Sequence, residues 1–97
     1  MEERFGLNIK LILAKVFIGS GGKIPAAYGQ REIRKTLKGS GIRKIDISRA
    51  RKELHVESEK IDNDYWWIWE NEWEPEAIWK DLSDEFWRKC RSERKGH

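Results

Sequence analysis

A chain of 97 residues can bury one modest core, which excludes a multidomain organisation. Apolar residues make up 38% and charged residues another 38%, a polar balance still within reach of a folded domain, and no run of about twenty apolar residues offers a membrane span. The net charge of +3 is small, so neither a polyanionic nor a strongly polycationic chain is in question.

The first predicted element is a helix from about Leu7 to Gly19, where Ile9, Ile12, Leu13, Val16 and Phe17 fall on one stripe at helical spacing. Lys10 and Lys15 interrupt its apolar run and Glu2 and Glu3 precede it, unlike a secretory signal, so mature protein is expected. Gly19-Ser-Gly-Gly22 ends the helix, and Lys23-Ile-Pro25 reads as a short extended link, because the residue before a proline avoids the helical region. A second helix is predicted over Ala27 to Lys38, with Tyr28, Ile33 and Leu37 inward, and Gly39-Ser-Gly41 breaks it. A third runs from Lys44 to Leu54, burying Ile47, Ala50 and Leu54. Val56 to Ile61 and Tyr65 to Trp69 then alternate as strands around Asp62-Asn63-Asp64, a hairpin signal. After the acidic bridge Glu70 to Glu76, Pro75 opens a fourth helix reaching about Arg94, with Ile78, Trp79, Leu82, Phe86, Trp87 and Cys90 on its apolar face. As the single cysteine, Cys90 excludes an internal disulfide and fits a reducing cytoplasm.

The expected fold class is therefore mostly α with a small β-hairpin. Three helices followed by a hairpin trace a winged helix–turn–helix over residues 1–69; residues 70–97 form an acidic bridge and an extra C-terminal helix on the same domain, expected to pack on the wing sheet. In that fold the third helix enters the DNA major groove. Its wheel turns Ile45, Ser48, Arg49 and Lys52 away from the core, flanked by Lys44 and Arg51, a set able to serve phosphate and base-edge contacts. Charge is segregated along the chain: residues 26–60 carry ten cations against five carboxylates, and residues 61–85 nine carboxylates against one lysine. That asymmetry suggests two faces with different partners, although a solvated charged coat also accounts for it.

From Gly41 onward the pattern is more specific. Gly41-Ile42, Ile47, Arg49-Ala50-Arg51-Lys52, Leu54, Val56, Ser58, Lys60 and Trp67-Ile-Trp69 resemble the C-terminal winged-helix segment of phage- and plasmid-type replicative ATPases and primase–helicases, the likeness covering about residues 7–69. The resemblance implies a winged helix and a role in phage, plasmid or mobile-element replication or regulation, with a replication protein as a further partner. The chain departs from the pattern where Arg43 replaces a Ser or Thr helix cap, Ile45 an arginine, His55 a glycine, and Glu57 and Glu59 wing cations; the segment is expected to stand without the ATPase domain that precedes it in the family.

Six tryptophans stand in residues 66–87. Tyr65, Trp67 and Trp69 alternate with Trp66 and Ile68, which makes both faces of the second hairpin strand apolar; core packing is the simplest use, beside a protein interface or base stacking. Gly19-Ser-Gly-Gly-Lys23 lacks the Ser or Thr and the preceding strand of a phosphate loop. His55, His97 and Cys90 lack metal-ligand spacing, and Glu70, Glu72, Glu74 and Glu76 lack the glycine turn of a calcium loop. No nucleophile–base pair is found. The sequence thus leads to a cytoplasmic, non-enzymatic protein without cofactor or metal. It is expected to bind double-stranded DNA through Lys44, Ile45, Ser48, Arg49, Arg51, Lys52 and Lys60, and a homodimer is open. The alternative is a protein-interaction module built on the Trp-rich hairpin and acidic bridge.

Overall fold

The structure, a computed structural model, describes residues 2–39 and 41–95, with side chains over 6–39 and 41–90. In chain order the elements are α1 (Glu2–Phe17), β1 (Lys23–Pro25), α2 (Ala26–Thr36), α3 (Lys44–Glu53), β2 (Val56–Ile61), β3 (Asp64–Trp69) and α4 (Pro75–Lys95). The expected first helix begins five residues earlier, at Glu2, and ends at Phe17.

The largest departure is Lys23–Pro25. Its three residues are not a link but an edge strand, pairing antiparallel with β3 so that Ile24 faces Trp67 and Pro25 faces Trp66. The hairpin is therefore two strands of a three-stranded antiparallel sheet in the order β1-β3-β2, and the fold class is mixed α/β. Pro25 is tolerated because an edge strand spares one row of N–H groups, and its fixed φ then leads directly into α2. The hairpin turn shrinks to Asp62 and Asn63, both at positive φ, and Asp64 joins β3. A two-residue turn of this hand matches the twist of its flanking strands.

Register sorts the sheet into two faces. Val56, Ile24, Trp67 and Trp69 look into the core, where the Phe17 and Trp69 ring centroids lie 5.2 Å apart. Within α2 the inward residues are Ala26, Gly29 and Ile33, while Tyr28, expected inside, is exposed. The reason is the bulk of Trp67: its ring lies where a Cβ on Gly29 would stand, so the helix approaches β3 at a residue with no side chain and turns its tyrosine outward.

The C-terminal helix is also placed differently from expectation. α4 packs along α1 and not on the sheet. Its buried residue Leu82 joins the same core cluster as Leu7, Leu13, Ile47 and Trp67, with Ile78, Trp79 and Phe86 half-buried against it. The outer sheet face, carrying Trp66 and Ile68, is left half-buried, with the Lys23 ammonium 5.0 Å above the Trp66 ring. No described helix is long and apolar enough to cross a membrane.

Candidate nucleic-acid interface

α3 starts without the hydroxyl cap that helices prefer. Arg43 occupies the N-cap position, and the cap works in reverse: Asp46, three residues on, accepts from the Arg43 backbone N–H at 3.0 Å and from its guanidinium at 3.1 and 3.2 Å. Those bonds from Arg43 hold the Asp46 carboxyl below its ordinary 3.8, and a carboxylate in the first turn also meets the positive end of the helix dipole. Inward, Ile47, Ala50 and Leu54 are buried as their spacing predicts.

The outward residues divide three ways. Lys44, Ile45, Arg49 and Lys52 are exposed, and Ile45 is 55% open, an unusual placement for an isoleucine. Ser48 is half-buried. Arg51 is half-buried too, and its Nη1 donates to the Val56 carbonyl at 2.8 Å, tying the end of α3 to the start of β2. That bond makes Arg51 a brace between helix and hairpin, leaving its other N–H groups for any ligand. Lys60 is exposed near the hairpin tip, on the same sheet face as Val56 and Ser58, and opposite Tyr65. Glu57 and Glu59 take the other face, opposite Ile68 and Trp66.

α2 adds cations beyond those expected on α3. Arg31, Arg34 and Lys35 on α2 and Lys38 just past its end are exposed, and Arg34 Nη1 reaches the Ile42 carbonyl at 3.4 Å across the α2–α3 turn. Their i, i+3, i+4, i+7 order is the sequence signal that could have found them. On its other side α3 borders an open concavity of about 640 Å³ against α1 and α4, where Arg49 stands near Glu53, Glu85 and Lys89. Glu53 is shared with Lys10 at 3.9 Å.

The acidic stretch gathers elsewhere. Glu70, Glu72, Asp81 and Glu85, with Trp73, edge a second open concavity of about 650 Å³ beyond the C-terminal end of α3. Phosphate approaching α2 and the outward side of α3 would meet cations, and at this end carboxylates. Comparison with known proteins finds no matching family, no matching curated protein and no matching solved structure.

Proposed function

We propose that this chain is a winged helix–turn–helix module that binds double-stranded DNA, with α3 in the major groove and the β2–β3 hairpin as the wing. The observation that carries the reading is the exposure of Arg31, Arg34 and Lys35 on α2, of Lys38 just past it, and of Lys44, Arg49 and Lys52 on α3. The order α1-β1-α2-α3-β2-β3 with its sheet order β1-β3-β2 supports it, since such an arrangement leaves the outward side of α3 clear of the sheet. Lys44, Lys52 and Lys60, joined by Arg34 and Lys35, serve phosphates; Ile45, Ser48 and Arg49 face base edges, and Arg51 positions the hairpin. The phage, plasmid or mobile-element setting and a replication-protein partner rest on the sequence resemblance, and a non-catalytic role rests on the lack of a nucleophile–base pair in the sequence; all belong to the same proposal.

A salt titration tests it. Each neutralised phosphate releases counterions, so log K should fall against log salt by about 0.9 per phosphate. In Arg49→Ala with Lys52→Ala the slope should shallow by roughly one unit for each phosphate left without its cation, with affinity reduced. Binding unchanged in affinity and slope would refute α3 as the interface. A protein-interaction role is the second reading, favoured by Trp73 and Trp87, which are 66% and 59% exposed.

A further inference from the structure

Among the outward residues of α3, Ile45 is the one that neither charge nor packing explains. Its side chain is 55% exposed and does not join the core cluster that holds Ile47, Ala50 and Leu54. A β-branched side chain also loses rotamer freedom in a helix, so propensity favours it less than a lysine or arginine. A singly exposed apolar residue is common on protein surfaces; what distinguishes Ile45 is the row it belongs to. Ile45, Ser48, Arg49 and Lys52 follow one another at i, i+3, i+4 and i+7 along the outward side of α3, with Lys44 beside them. Ile45 lies in the first turn, two residues after the Arg43 cap, and a recognition helix reaches base edges with its N-terminal residues. The row thus sets its apolar member at the end that comes nearest to the bases.

We infer that Ile45 reads the C5-methyl group of a pyrimidine in the major groove, so that the preferred duplexes carry thymine where it docks. The inference rests on the DNA-binding reading of α3 and deepens it. Lys44 and Lys52 attract phosphates whatever the sequence, and carry no base preference of their own. Ile45 adds no charge. Its natural counterpart is the thymine C5-methyl, the one apolar group on the major-groove edges of the four bases. Contact between the two removes apolar surface of both from water, and the stiff β-branched side chain loses little freedom in making it. Over adenine, guanine or unmodified cytosine the same side chain would cover polar edge atoms without offering them a hydrogen bond. A C5-methyl also occurs on 5-methylcytosine, so the methyl group is the shared chemistry and the two bases are its possible sources.

Anisotropy titrations of the full chain with two pairs of duplexes test this. One pair is alternating A·T made with thymine or with uracil, which lacks only the methyl; the other is G·C made with cytosine or with 5-methylcytosine. The wild type should bind the thymine duplex about fourfold more tightly than the uracil duplex, the ratio that burial of one methyl-sized group implies. The salt slope should be the same for both, because no phosphate contact differs. Ile45→Ser should bring the ratio to about one and leave slope and helical circular dichroism unchanged, since the residue lies outside the core. A similar gain with 5-methylcytosine would show that the methyl is read on either base; a gain with thymine alone would assign the contact to thymine. Equal affinity of the wild type for thymine and uracil duplexes, with a steep salt slope, overturns this inference and leaves the DNA-binding reading standing. A thymine preference that persists in Ile45→Ser belongs to the shape of the duplex and overturns it too. Binding to none of the duplexes overturns both readings.

Discussion

His55 holds a backbone conformation that suits glycine. Its φ is +56°, and its N–H donates to the Lys52 carbonyl at 3.1 Å while its own carbonyl accepts from Glu70 N–H at 3.0 Å. Those bonds fix the residue just past α3, where a left-handed turn ends the helix and launches β2. Glycine is the residue that holds such a dihedral without Cβ strain. A side chain with a Cβ strains this region by about 1–2 kcal/mol, offset in part by the extra entropy glycine has when unfolded. His55→Gly should therefore stabilise the chain by about 0.5–1 kcal/mol and raise Tm by a few degrees, roughly as expected for a domain this small. His55→Ala retains the Cβ and should give no such gain; equal melting curves for all three chains would show that the turn carries no strain.

At the scale of the element, α3 depends on one carboxylate. With the Asp46 value lowered by the Arg43 bonds, its contribution is complete above the ordinary aspartate range and is lost as pH falls through the lowered value. The first turn of α3 should loosen below about pH 4, seen as faster amide exchange at residues 46 and 47, and Asp46→Asn should remove that acid dependence. Acid loosening that persists in the variant would assign it to other carboxylates. This cap is hidden in the sequence, because Arg43 is no usual cap residue and the missing Ser or Thr reads as a defect. What is legible follows periodicity: Ile47, Ala50 and Leu54 inside, Lys44, Arg49 and Lys52 outside. β1 is not legible, since three residues ending in proline show no alternation, and their pairing is decided by Trp67 more than forty positions away. α4 is recognisable as an amphipathic helix, but periodicity names the apolar face without naming what it meets. Gly29 explains Tyr28 only once the Trp67 ring is in place.

At the scale of the whole molecule, the hairpin carries both exposed cations and exposed carboxylates, so its own charges weigh on any phosphate near it. Glu57 and Glu59 are exposed on the outer sheet face, beside Trp66, Ile68 and Lys23, while Ser58 and Lys60 share the face of Val56. Two carboxylates on a strand only six residues long lie within one Debye length of a phosphate touching Lys60, since that length is about 10 Å at 0.1 M salt. If the hairpin follows the DNA backbone, Glu57→Lys with Glu59→Lys turns repulsion into attraction, strengthening binding and steepening its salt dependence. Net charge alone also raises affinity, so the comparison needs a pair of equal charge change in another place. Glu70→Lys with Glu72→Lys provides it, because both residues edge the carboxylate-rich concavity next to α4. The hairpin pair should increase affinity more than the distant pair and add to the slope by up to about 0.9 per newly neutralised phosphate. Equal gains from the two pairs would show that the duplex senses only total charge. No gain at the hairpin would separate it from the nucleic acid, leaving α2 and α3 to bind without a wing.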